Sequence, residues 1–171
     1  INLLSIFMVV ALSVNSYGED MGSTSGISLR LNPYARPAGG GGAYTAAGEG
    51  ADGMNFNPAN AASGDGKYEI GAAHCEWWQD IRYEGFTYIH PLNWRRLCSL
   101  GLSLLYLHVW DIERTEISLS SPEGWISTGK FSVEEGYLSL CLGFKPSKNL
   151  SWGMGLKFIC SRLAEFSARA Y

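Results

Sequence analysis

The sequence predicts an all-β fold of antiparallel strands, and three observations lead to this prediction. From Lys67 onward, segments of about ten residues alternate between apolar side chains and small or polar ones. Charged residues make up only 17% of the chain, against roughly 25% in an average soluble domain. Aromatic residues reach 13%, and 21 residues are glycine. This composition is typical of a strand-rich protein with an apolar face in contact with lipid, as in an outer-membrane barrel.

Length and charge exclude several broad classes of protein. The 171 residues fit one domain, and a hydrophobic share of 46% argues against intrinsic disorder. The chain carries 13 basic and 16 acidic residues, a formal net charge of -3. A nucleic-acid-binding protein would usually carry a basic excess or a basic stripe. No nucleic-acid partner is therefore expected.

The first 17 residues are predicted to be a secretory signal peptide. The run Leu3–Val14 is almost wholly apolar and ends before Asn15-Ser16, which matches the apolar core of such peptides. The chain begins with Ile1 rather than Met, and a truncated start would explain the missing basic region. A buried strand or core helix is the alternative. The run is too short for an uncleaved membrane anchor, because a spanning helix needs ~20 residues.

Residues 18–66 form a distinct region that is rich in Gly, Ala, Asn and Ser and shows no two-residue alternation. Small side chains let backbones approach closely, and Asn57-Pro58 marks a turn, so short helical turns are expected here. The run Gly39–Gly42 lacks the Lys-Ser/Thr that follows the glycines of a phosphate loop. We interpret these glycines as packing or turn residues.

Five strands are predicted after this region, and residues 166–171 would begin a sixth. The minor face of these strands carries Ser, Gly and Asn rather than the Lys, Glu and Thr of a soluble sandwich, as in a barrel lumen packed against a plug. Tyr106, Trp110 and Trp152 near the ends of the apolar face resemble an interfacial girdle. A transmembrane barrel is therefore favoured over a secreted sandwich. The five segments are 67–76, 81–90, 96–110, 131–145 and 149–160.

The sequence contains no recognisable catalytic or metal-binding motif. His74, His90 and His108 are isolated, and neither H-E-x-x-H nor G-x-S-x-G occurs. The four cysteines have no C-x-x-C spacing, and we interpret them as small core hydrophobes, with disulfides as the alternative in an exported chain. No enzyme activity, cofactor or metal is therefore expected. The cysteines are Cys75, Cys98, Cys141 and Cys160.

The run from Gly26 to Ala62 resembles the N-terminal signature of the PorV/PorQ group within the FadL-like outer-membrane β-barrel family, and is similar to spirochaete paralogues of that group. The signature has an Arg-x-x-Gly-Gly-Ala-x-x-Ala stretch, then acidic and small residues, then Asn-Pro-Ala. The segment Gly153–Phe158 also resembles the family's Gly-x-x-Leu-Lys-Tyr strand, with Phe158 in the place of Tyr. The residues that match the order of the signature are Arg36, Gly41, Gly42, Ala43, Ala46, Asp52, Asn57, Pro58 and Ala59.

This resemblance implies a partial antiparallel transmembrane β-barrel of about five to six strands, preceded by a small Gly/Ala-rich N-terminal hatch with short helices. Residues 18–66 would be the hatch or plug, and residues 67–171 the first strands of the barrel. Barrels of this family close with more than a dozen strands, and even the smallest bacterial barrels need about 8. An incomplete barrel, and hence an N-terminal fragment, is therefore expected.

The resemblance also implies a location in the outer membrane, surrounded by its lipid, and uptake of long-chain fatty acids or other hydrophobic molecules. Five aromatic residues are candidates for contact with an apolar ligand, although they could equally belong to an interfacial girdle. The alternatives are a PorV-like accessory or shuttle protein with a secretion or surface-protein partner, a secreted β-sandwich binding module, and a truncated paralogue without function. The five aromatics are Trp77, Trp78, Tyr83, Phe86 and Tyr88.

Overall fold

Over the residues that the structure describes, the protein forms one six-stranded antiparallel sheet in which each strand pairs with the next in the chain. The computed structural model describes residues 29–64, 66–92, 98–164 and 166–170. The predicted signal peptide lies outside these residues. The predicted all-β class is confirmed. The strands are β1 (Glu69–Glu76), β2 (Arg82–Leu92), β3 (Cys98–Ile117), β4 (Trp125–Ser147), β5 (Leu150–Leu163) and β6 (Phe166–Ala170).

Two strands are much longer than the ten or so residues expected. β3 has 20 residues and β4 has 23. Their outer halves, residues 109–117 and 125–133, pair with each other beyond the reach of β2 and form a two-stranded ribbon. The predicted strands 96–110 and 131–145 included only the base of this ribbon, because polar and charged residues interrupt the alternation further out. Two of them, Lys130 and Asp111, form an ion pair with Nζ and Oδ1 3.2 Å apart.

Residues 29–64, called the N-terminal segment below, contain short helices, as predicted. These are α1 (Ala35–Gly39), α2 (Gly50–Gly53) and a 3-10 helix at Pro58–Ala62, while a second 3-10 helix at Trp78–Asp80 joins β1 to β2. Asn57 caps the Pro58–Ala62 helix, since its side-chain oxygen accepts a hydrogen bond from the Ala59 N–H at 3.1 Å. No helix within the described ranges is long and apolar enough to cross a membrane.

The two faces of the sheet differ in chemistry. The inner face, which packs against the N-terminal segment, mixes polar and apolar side chains: Thr87 and Ser103 are almost fully buried there, and so is Tyr83. The outer face carries large apolar side chains that remain accessible, with Leu156 51% exposed and Met154 60% exposed. Large apolar side chains are therefore exposed on the outer face, whereas the inner face buries both hydroxyl and apolar groups. Two central rows of paired residues cross the outer face from β1 to β5. The first row is Ile70, Tyr88, Leu102, Leu140 and Leu156, and the second is Ala72, Phe86, Leu104, Leu138 and Phe158.

Candidate functional site

The candidate site is the interface between the N-terminal segment and the inner face of the sheet, and glycines make it possible. A Cβ atom on Gly153 would lie 2.6 Å from the backbone nitrogen of Ala59, and one on Gly143 would lie 2.7 Å from the backbone nitrogen of Ala62. Contacts this short leave no room for a side chain. Gly85 likewise lies against Pro33 and Tyr34, and Gly101 lies against the side-chain sulfur of Met54. Each of β2 to β5 thus offers a glycine to the segment.

The predicted Asn-Pro-Ala motif lies at the centre of this interface. Pro58 packs over β5, with its Cγ atom 3.3 Å from the Cβ position of Gly155. The Asn57 amide also donates to the Thr45 carbonyl at 3.3 Å and so ties the motif to the preceding loop. Ala59 is buried against Gly153. The three motif residues therefore shape and seat the 3-10 helix.

Glu69, at the start of β1, joins the sheet to helix α2. The Ala51 N–H donates a hydrogen bond to Glu69 Oε2 at 2.9 Å, and the Glu69 carboxylate packs against Gly50, which has a φ of 60°. The Gly50 N–H donates to the Ser63 hydroxyl at 3.0 Å. Sequence reasoning missed Glu69 because a single acidic residue at a strand start carries no pattern that distinguishes it from a solvated charge.

The other predicted hatch residues lie away from the buried contact. Arg36 is well exposed, and its guanidinium reaches Asp52 at 4.0 Å, a surface ion pair of the kind that contributes about 0–1 kcal/mol. Gly41 and Gly42 have φ angles of 62° and 80° and form an exposed turn with Ala43 after α1. Arg36 and Asp52 are thus brought together, and the three turn residues are not part of the interface.

Tyr34 is buried in the interface, and its ring lies against Gly85. Burial raises the pKa of the Tyr34 hydroxyl above its ordinary value of 10.0, Thr87 acts in the opposite direction, and the negative charge of Asp52 raises the pKa further. A raised tyrosine pKa means that the folded protein favours the neutral phenol. Its contribution to stability is therefore complete below the ordinary pKa and is lost as the pH rises above it.

We expect Tyr34→Phe to make the free energy of unfolding less sensitive to alkaline pH, because the variant has no phenol to ionise. Between about pH 9 and about pH 11, the wild-type protein should lose more stability than the variant. Urea unfolding at each pH measures the difference. Tyr68→Phe, on an exposed tyrosine, is the matched control. Equal losses in wild type and Tyr34→Phe would contradict the assignment.

The five predicted ligand-contacting aromatics do not line one cavity. Trp77 and Tyr83 are neighbours, with ring centroids 5.4 Å apart, and Tyr83 is buried on the inner face. Trp78 is exposed in the β1–β2 connection. Phe86 and Tyr88 lie on the outer face, because they fall on the opposite side of the two-residue period from Tyr83. Their contact with an apolar ligand stays a prediction.

The four cysteines are free thiols with different surroundings. Cys141, on the inner face of β4, is buried beneath the N-terminal segment, whereas Cys160 is exposed on the outer face. The prediction of small buried residues therefore fits Cys141 and is wrong for Cys160. Across the ranges that the structure describes, no group of three or more His, Cys, Asp or Glu residues is placed to hold a metal ion.

Comparisons with known proteins give no family assignment. No protein-family model, no curated protein and no solved structure matches this chain. The resemblance of the N-terminal segment to the PorV/PorQ signature therefore stays a prediction.

Proposed function

We propose that the chain forms part of the wall of an outer-membrane β-barrel, with the N-terminal segment as a hatch in its lumen, and that the protein takes up hydrophobic molecules. The observation that carries this proposal is the apolar outer face. Apolar side chains such as Leu156 and Met154 are exposed there, while the inner face buries hydroxyl groups such as those of Ser103 and Thr87. A lipid-facing wall around a plugged lumen has an exposed apolar face of this kind.

The height of the apolar outer face supports the same proposal. On β3 it runs from Cys98 to Tyr106, which falls within the roughly 9–11 residues that a tilted strand needs to cross a bilayer. At one end, the apolar face borders a row of polar and charged residues that are paired in register across β2 to β5. This row comprises Arg82, His108, Glu134 and Arg162.

Aromatic rings lie at both ends of this apolar face. At the charged end, the His108 ring stacks on Trp110 with centroids 4.2 Å apart and lies 5.2 Å from Tyr106. At the other end, Phe144 and Trp152 contact edge to face at 5.3 Å. Aromatic side chains, above all Trp and Tyr, are enriched at the boundary between lipid and water, so Tyr106, Trp110 and Trp152 fit two interfacial girdles.

Closure is a requirement of the proposal. The six strands form a sheet, and β1 and β6 are its edges. An unpaired strand edge in lipid leaves backbone groups without hydrogen bonds, so further strands must pair with both edges. The smallest bacterial barrels have about 8 strands.

Transport requires that the N-terminal segment can move. Its contact with the sheet combines packing of backbone and side chains on glycines with a few hydrogen bonds such as that from the Ala51 N–H to Glu69. Movement of the hatch would open a path for a hydrophobic molecule, long-chain fatty acids being the class that the family resemblance implies.

Two measurements test the proposal. The protein should be recovered in the outer-membrane fraction and should shift in electrophoretic mobility on boiling, as closed barrels do, and deletion of the gene should lower uptake of labelled oleate. A soluble protein without a mobility shift would rule out the barrel. A heat-modifiable outer-membrane protein with unchanged oleate uptake would rule out fatty-acid transport but would leave the barrel proposal standing.

The ribbon of β3 and β4 favours a second candidate function, an accessory or shuttle role with a protein partner. The ribbon extends beyond the charged row, and its tip carries Ile117 and Leu119, which are almost fully exposed, beside Trp125. Exposed apolar residues at the end of a projecting hairpin are typical of a protein contact. Crosslinking in intact cells should then capture a surface or secretion protein through the ribbon, and Trp125→Ser should abolish that crosslink.

A further inference from the structure

A groove of about 1020 Å³ runs over the outer face of strands β2 to β6, where the apolar face borders the charged row. Its floor is apolar and includes Leu138 and Phe158. Gly136 has no side chain and leaves a recess between Tyr106 and Cys160, its partners in the register. A groove of this volume is large enough for a lipid head group and the first part of its acyl chains.

Three charged side chains that line this groove have no partner of opposite charge. They are Glu134 on β4, Arg162 on β5 and Arg169 on β6, and their register places all three on the outer face. Glu134 and Arg162 are directly opposite each other, yet none of the three forms an ion pair with a residue that the structure describes. Glu84 also lines the groove, but its carboxylate is hydrogen-bonded to His74 at 2.8 Å. Charges beside a lipid-facing surface usually pair with one another or with lipid head groups.

The order of these charges across the strands fits a head group that carries both signs. The carboxylate is on β4 and the two guanidiniums are on the next two strands, with neighbouring strands about 4.8 Å apart. In a phosphoethanolamine group, a short ethylene link holds the ammonium and the phosphate at a comparable separation. The planar guanidinium fork donates two parallel hydrogen bonds to phosphate, and a carboxylate accepts hydrogen bonds from an ammonium.

We infer that this groove binds one molecule of an ethanolamine phospholipid. Arg162 and Arg169 donate hydrogen bonds to the phosphate oxygens, and Glu134 accepts them from the ammonium. The acyl chains lie over Leu138 and Phe158 and continue along the apolar outer face. The proposed function requires lipid of any kind around this face, whereas the groove selects one head group. The inference rests on the proposed function, because the acyl chains require that the outer face contacts lipid.

Native mass spectrometry of the full-length protein in a neutral detergent measures this binding. The probes are phosphatidylethanolamine, phosphatidylglycerol, which has the phosphate but no ammonium, and diacylglycerol, which has neither; all three carry the same acyl chains. We expect phosphatidylethanolamine to bind about tenfold more tightly than either of the others, because only this lipid can pair with the carboxylate and both guanidiniums. Nonspecific attraction to arginine would instead favour phosphatidylglycerol, which carries a net negative charge.

Three variants separate the two halves of the head-group site. Arg162→Gln and Arg169→Gln each remove a charged donor to the phosphate, and each should weaken the binding of both phospholipids about tenfold. Glu134→Gln should remove the preference for phosphatidylethanolamine, while phosphatidylglycerol binds at least as tightly as before. Arg36→Gln, which changes an exposed arginine of the N-terminal segment, is the matched control. Heat modifiability establishes that each variant has folded.

The thiol of Cys160 gives a second measurement, because it is exposed and lines the groove. With the other three cysteines changed to serine, maleimide should label Cys160 several-fold more slowly in nanodiscs of phosphatidylethanolamine than in nanodiscs of phosphatidylglycerol. In Glu134→Gln the two labelling rates should be equal, because the ammonium then has no carboxylate to bind.

Phosphatidylglycerol binding as tightly as phosphatidylethanolamine would overturn the inference, as would an undiminished preference in Glu134→Gln or unchanged binding in both arginine variants. These outcomes are separate from failure of the proposed function. A heat-modifiable protein without lipid preference disproves only the head-group site, whereas the expected preference with unchanged oleate uptake disproves only fatty-acid transport. If the protein proves water-soluble, the same comparison with dissolved short-chain versions of the lipids tests the site in buffer.

Discussion

Leu140→Arg is expected to prevent most of the protein from assembling in the outer membrane. Leu140 lies in a central row of the outer face, between Leu102 and Leu156 in the register. If this row lies at the middle of the bilayer, an arginine there costs about 2–4 kcal/mol. In a water-exposed sheet, the same change would cost almost nothing, because the side chain is already 40% exposed. The measurement is the fraction of protein that is heat-modifiable in the outer-membrane fraction.

The control for this variant is Ile126→Arg on the β3–β4 ribbon. Ile126 is 45% exposed, close to the exposure of Leu140, but it lies beyond the charged row. It should assemble like the wild-type protein. If both arginine variants assemble equally well, the outer face contacts water or another protein rather than lipid, and the barrel proposal is wrong.

Gly153→Leu is expected to displace the N-terminal segment from the sheet. The new Cβ atom would lie 2.6 Å from the backbone nitrogen of Ala59 and from the backbone carbonyl carbon of Pro58. Backbone atoms cannot turn aside as a flexible side chain can, so the 3-10 helix must move. Overpacking of this kind costs about 1–3 kcal/mol. Part of that cost should appear as a displaced N-terminal segment.

The thiol of Cys141 reports this displacement, because it is 2% exposed beneath the segment. In a background with the other three cysteines changed to serine, maleimide labelling of Cys141 should be about tenfold faster or more in Gly153→Leu, the change that about 1.4 kcal/mol would produce. Gly39→Leu is the control, because no atom lies within 4 Å of the Cβ position there. Equal labelling rates in both variants would show that the segment does not depend on the glycine contact.

The candidate site was only partly predictable from sequence. The Asn57-Pro58-Ala59 motif was identified, and it is the part that packs on β5. Glu69 was not singled out, because its role depends on a contact with α2 that exists only in the folded protein.

The sequence by itself determined the strand class and the division of residues between the two faces. Side chains in a strand alternate with a period of two, so a local pattern is enough to place Ser139 and Leu140 on opposite faces. Only the tertiary structure decided which glycine packs against which part of the N-terminal segment and how far the β3–β4 ribbon extends. The same is true of the hydrogen bond by which Glu69 joins β1 to α2. These features depend on contacts between distant segments and on pairing across a hairpin, for which no local periodicity exists.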